Sequence, residues 1–157
     1  RDVERSRGLG DVYKRQIMGI DKSLMGGAKF RNGFEYTIPS QSLRESLFRI
    51  KDKDLERAGD VYSFYNDLKN SIKAVSEKTK IGGYHFWVVG NRTVKGELLK
   101  TDVIITEIAD SYGLEHVYTI DRNIINKVMP SLNSPTNESG VKAETMTNEH
   151  IVVLRKR

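Results

Sequence analysis

The sequence predicts an α/β domain built on a mostly parallel sheet that closes with one antiparallel strand. Three observations lead there. Residues 84 to 90 form a continuous apolar run, the mark of a strand covered on both faces. One amphipathic helix precedes that run and another separates it from the next strand, and a helical crossover makes two strands parallel neighbours. No helix separates the last two strands, so they are expected to pair antiparallel.

Each element has its own local reason. From Ile17 to about Ser40 the text is loop-like, with Gly19, Gly26, Gly27, Gly33 and Pro39 interrupting short apolar patches. Leu43, Leu47 and Ile50 share a helical face over residues 42 to 50. The charged stretch "KDKDLERAGD" reads as a solvated turn or a polar helical segment. Asp60 can then cap a helix whose apolar residues Val61, Phe64, Tyr65, Leu68, Ile72 and Val75 keep a 3.6-residue period, before Gly82 and Gly83 reverse the chain. After the apolar strand, Thr101 or Asp102 caps a helix running to Tyr112 and ending at Gly113. His116 to Ile120 reads as the second strand, and His150 to Leu154 as the third, after a long polar loop with Pro130, Pro135 and Gly140.

Composition narrows the function classes. The chain has 157 residues, 30% of them charged, with a mean hydropathy of −0.51 and no run long enough to span a membrane. No cysteine is present, which excludes a disulfide scaffold and a zinc–cysteine site and fits a reducing cytoplasm. His85, His116 and His150 show no metal-ligand spacing, so no metal is expected. The net charge of +5 hints at a polyanionic partner, although residues 1 to 16 carry two of those charges. Those sixteen residues, "RDVERSRGLGDVYKRQ", have no apolar core of a signal peptide and resemble a translated sequencing-adaptor read-through. They are expected to be foreign to the native chain, with residues 17–157 as the native part.

In open α/β sheets, ligands bind beyond the carboxyl ends of the parallel strands. Gly90, Asn91, Arg92, Thr93 and Lys95 leave the first strand at that edge, and Asp121, Arg122, Asn123, Asn126 and Lys127 follow the second. Asn offers a donor and an acceptor to a base edge or ribose, while Arg and Lys suit phosphate. The two clusters are expected to face one cleft. A blander reading stands beside this one: Arg92 and Lys95 as solvated loop charges and Asn91 as a turn residue. Phe86 and Trp87 read as core aromatics rather than a stacking platform, and His116 as an ordinary histidine.

Longer words in the sequence carry a resemblance: "GIDKSLMGG", "FYNDL", "GGYHFWVVGNRTVKG", "TDVIITEI", "TIDRNIINKVMPSLNSPTN" and "ETMTNEHIVVLRK". From about Met18 to Lys156 the chain resembles the carboxyl-terminal half of bacterial site-specific DNA methyltransferases that modify cytosine N4 or adenine N6. The resemblance implies a partial Rossmann-like S-adenosylmethionine-dependent sheet, parallel with a final antiparallel strand. It implies double-stranded DNA as partner, a cognate restriction endonuclease as genetic partner, and a pocket for a flipped-out base beside Asn91, Arg92, Thr93, Lys95, Arg122, Asn123, Asn126 and Lys127. Such enzymes hold the target amino group with a Ser/Asn/Asp-Pro-Pro-Tyr/Phe tetrapeptide and the cofactor at a motif like F-x-G-x-G. Neither is present in these 157 residues, and "NSPTN" is not the tetrapeptide. Both are expected upstream of Ile17, and the chain alone is expected to be inactive. The alternatives are a non-catalytic nucleic-acid-binding module, or an RNA or small-molecule methyltransferase of the same fold.

Overall fold

The computed structural model describes residues 34–124 and 148–157, together with 19–20, 24–27, 30, 132–133 and 143–144. The expectations for residues 1–16, and those for most of the loop between 125 and 147, lie outside the described residues.

Gly19 and Ile20 are helical, and two abutting helices follow further along the chain. Ser40 caps α1 (Gln41–Lys53), its Oγ accepting from the Leu43 N–H at 3.1 Å. Asp54 then does two jobs. Its N–H closes α1 on the Ile50 carbonyl at 2.8 Å, and its Oδ1 accepts from the Arg57 N–H at 2.9 Å to cap α2 (Leu55–Lys78). The charged stretch is therefore helical on both sides of a single residue. Asp60 lies inside α2 and does not cap it, because Asp54 supplies the same chemistry more than one turn earlier.

The chain then runs through β1 (Tyr84–Val89), β2 (Arg92–Val94), β3 (Glu97–Leu99), α3 (Thr101–Asp110) and β4 (Leu114–Asn123). Two short strands, β5 (Leu132–Asn133) and β6 (Ala143–Glu144), pair with each other, and β7 (Asn148–Lys156) ends the chain. Neither Thr101 nor Asp102 caps α3. Lys100 holds the cap position without a side-chain bond, and Thr101 instead bonds the Tyr65 hydroxyl at 2.9 Å.

The sheet order is β1-β7-β4, and β7 is antiparallel to both neighbours. The final strand is thus reversed, as expected. The first two long strands do run parallel, but they are not neighbours, because β7 lies between them. Every strand pairing among the described residues is antiparallel, so a hydrogen-bonded parallel sheet is not what these residues form. A helical crossover fixes strand direction, but it leaves room for a later strand to enter the gap.

The helices α1, α2 and α3 contribute to one core. Leu43, Leu47 and Ile50 from α1, Tyr65, Leu68 and Ile72 from α2, and Ile104, Ile105 and Ile108 from α3 are buried with Val152 and Leu154 of β7. Burying each such aliphatic side chain stabilises the fold by roughly 1.5–3 kcal/mol. Trp87 and Val89 pack on the same side, so Trp87 is a core aromatic as expected. Phe86 is not; it is 64% exposed. Cross-strand register places Phe86, Val153 and Tyr118 in one row and Val88, Ile151 and Ile120 in the next, on the face away from the helices. Phe86 and Val88 are exposed on that face although Val153 of the central strand is buried, so the apolar run of β1 is largely open on that side.

Candidate functional site at the shared end of β1 and β4

The carboxyl ends of β1 and β4 meet across the first residues of β7. His150 lies opposite Val89 on one side and Asp121 on the other. Its Nδ1 is 2.6 Å from Asp121 Oδ1, and its Nε2 is 3.1 Å from Asn91 Nδ2. Asn91 Oδ1 accepts from the Asp102 N–H at 3.4 Å. One continuous path of polar contacts therefore runs from β4 through β7 and the end of β1 to the first turn of α3. In the next register position Arg122 pairs with Glu149, and beyond it Asn123 lies opposite Asn148.

Asn91 gives α3 the cap that Lys100 cannot. The orphan N–H groups of a first helical turn need an acceptor, and the Asn91 carbonyl oxygen reaches one of them from outside the helix. Close by, the Asp102 Oδ1 atom is buried without a partner, as is Trp87 Nε1 on β1. Each such atom gives up solvation without a compensating bond, at about 1–3 kcal/mol.

Arg92, Thr93 and Lys95 do not form a loose loop; they build the β2–β3 hairpin. Its turn is Lys95-Gly96, with φ of 51° and 77°, the two positive values that a two-residue turn matching the twist of its strands demands. Lys95 tolerates this conformation while its Nζ is held by Asp54 Oδ2 at 2.9 Å, and its carbonyl accepts from Lys53 Nζ at 3.0 Å. Glu97 takes Arg49 at 2.6 Å and the Ser46 hydroxyl at 3.1 Å, so its carboxyl sits below the usual range, chiefly because of Arg49. The hairpin is thus fastened to the end of α1.

Arg92 extends from the hairpin over a cavity of about 60 Å³ lined also by Arg57, Phe64 and Tyr65. Burial pushes the Tyr65 phenol up, opposed by its bond to Thr101 and by the charge of Arg92. Among the described residues Arg92 has no ion pair, whereas Lys95 and Arg122 do.

The expected clusters therefore meet only in part. Asn91 is joined to Asp121 through His150, and Arg122 and Asn123 lie on the same sheet edge. Lys95 is turned away to Asp54, and Thr93 is exposed on the hairpin. Asn126 and Lys127 lie outside the described residues. Sequence reasoning missed His150 as the hub, although a signal was available: strand alternation puts it on the row of Val152 and Leu154, where an imidazole needs partners.

The described residues around the cavity at the start of α1 do not fit S-adenosylmethionine. That cavity, of about 280 Å³, lies between Tyr36, Thr37, Pro39, Ser40, Gln41 and Arg44. The carboxylate beside it, Glu107, is taken up by the Ser40 and Ser42 hydroxyls and the Ser42 N–H. No acid for ribose hydroxyls is among the described residues lining the cavity, and Arg44 lies over the Tyr36 ring at 4.8 Å. Burial pushes the Tyr36 phenol up to about 12. Among the described residues no group of three or more His, Cys, Asp or Glu could hold a metal ion, and no helix is long and apolar enough to cross a membrane.

Comparison with known proteins supports the resemblance read from the sequence. The chain is 41% identical over 145 residues, 89% of its length, to the Type II methyltransferase M.MvaI of Kocuria varians. It spans 32% of the length of that curated relative. A solved Thermus thermophilus protein, described as a DNA modification methylase complexed with S-adenosyl-L-methionine, is 20% identical with a TM-score of 0.44. That likeness covers 62% of this chain and 38% of the other. No family profile matches the sequence.

Proposed function

We propose that this chain is the carboxyl-terminal, DNA-facing part of a site-specific DNA amino-methyltransferase. The whole protein would use S-adenosylmethionine to methylate an exocyclic amino group of cytosine or adenine. The observation that carries the reading is the 41% identity to a Type II methyltransferase over nearly the whole chain. The joined polar ends of β1 and β4 support it, since they give Asn91, Arg122 and Asn123 one common edge. In the whole enzyme this edge would lie beside the base pocket, and the enzyme would act in the cytoplasm as the modification arm of a restriction system.

The sheet suggests where the remaining strands belong. β4 is poorly suited to further pairing, because it carries a bulge between His116 and Tyr118 and ends in exposed Asp121, Arg122 and Asn123. β1 is short, regular and apolar, and its outer edge is open among the described residues. Parallel strands of a Rossmann-like sheet would add there.

Methyl transfer needs the amino nitrogen held against the methylsulfonium carbon, a matter of proximity. The tetrapeptide and glycine motif that do this in such enzymes are not in the 157 residues. The chain alone is therefore expected to transfer no labelled methyl to DNA, while binding duplex with an affinity that falls steeply with salt. Methyl incorporation by the purified chain would overturn its placement outside the catalytic motifs. Binding to RNA in preference to duplex DNA would overturn the substrate class.

A further inference from the structure

We infer that His150 is a positioning residue: it fixes which way the Asn91 side-chain amide points, with Asp121 setting the imidazole tautomer. Donor and acceptor accounting leads there. An ionised Asp121 carboxylate can only accept, so the His150 nitrogen 2.6 Å from it, Nδ1, must carry a hydrogen. In the neutral ring Nε2 is then a bare acceptor, and the group 3.1 Å away must be the donating NH₂ of Asn91. That leaves Oδ1 toward the Asp102 N–H, which is itself a donor.

The flipped amide fails at both ends. It would set Oδ1 against the Nε2 lone pair and NH₂ against a backbone N–H. A proton on Nε2 would likewise oppose the Asn91 NH₂. A single orientation therefore satisfies all four groups, and it is specified by a carboxylate on a different strand.

Burial agrees with this role. The His150 side chain is 17% exposed, while that of Asp121 is 72% exposed. The imidazole is enclosed between two strand ends, and the acid orients it from the rim. Asn91 retains one amide hydrogen and one carbonyl lone pair after these bonds, so its free donor and acceptor are presented in a fixed order. A fixed order is what recognition of a base edge requires. The use of Asn91 on DNA rests on the function proposed above, whereas its orientation does not.

Magic-angle-spinning ¹⁵N spectra of the sedimented 157-residue chain, labelled in histidine and asparagine, test the inference without requiring a monodisperse sample. The expected result is a protonated Nδ1 and a bare Nε2 at His150, assigned by its loss in His150→Phe. The Asn91 Nδ2 signal should move in His150→Phe and return toward its original position in His150→Gln, whose side-chain carbonyl can accept the same hydrogen. An Nε2-protonated ring, a mixture of tautomers, or an Asn91 signal unmoved by His150→Phe would overturn it. A second arm measures duplex binding. His150→Phe should weaken it about tenfold with an unchanged salt slope, since no phosphate contact is removed. Failure of the unsubstituted chain to bind DNA would sink the DNA reading and leave the orientation of Asn91 standing, so the two failures are distinguishable.

Discussion

Asn91 shows how far a single residue can be read from sequence. Its place after an apolar strand marked it as a site residue, but its partners come from positions 59 residues later and 11 residues later, which spacing along the chain does not reveal. Replacing Asn91 by Ala should cost about 1 kcal/mol, the usual loss when a helix cap is removed, measured by urea unfolding. His85 carries a pH prediction. It is buried, within 2.7 Å of the Thr79 hydroxyl, and its ring is held below the ordinary histidine range, first by burial and then by Lys156. A depressed folded value means that the unfolded chain binds the proton more readily. Stability from this residue is therefore fully present above about pH 6.5 and is lost as the pH falls through the lower folded value. His85→Gln should flatten the change in urea midpoint between pH 7.5 and pH 5.5. An unchanged slope would show that another group titrates there.

At the scale of elements, the helices and long strands were legible because burial follows period. Leu43, Leu47 and Ile50 mark α1, and residues from Val61 to Ile72 mark α2. Boundaries were less legible, because Asp54 and Asp60 are chemically equivalent as caps and only packing selects between them. The β2–β3 hairpin was missed for a related reason: Lys95 stands where the turn favours Asn or Asp, and Asp54 compensates from another element. The open face of the sheet makes its own prediction. Phe86 and Val88 are 64% and 58% exposed in a contiguous apolar patch, the kind of surface that drives association. Phe86→Thr with Val88→Thr should reduce self-association in sedimentation velocity. It should change stability by less than about 1 kcal/mol, since little buried area is lost. Unchanged association would place the sticky surface elsewhere.

For the molecule as a whole, the positive charge is less available than the net +5 suggests. Arg155 meets Glu115, Arg157 meets Asp110, and Lys156 donates to the Ser76 hydroxyl and the Tyr112 carbonyl, so the basic end of the chain closes the fold. Arg92, by contrast, is in no ion pair among the described residues. The α/β class and the reversed last strand were readable because helix placement fixes strand direction; the insertion of β7 between β1 and β4 was not, since direction alone does not set strand order. The deciding experiment is a transplant. Residues of this chain would replace the matching stretch of the Kocuria varians methyltransferase, and labelled methyl passed from S-adenosylmethionine to duplex DNA would be counted. Methylation by the chimera, and none by the isolated chain, is the expected result. A folded chimera that binds cofactor and duplex yet transfers no methyl would refute the proposed function.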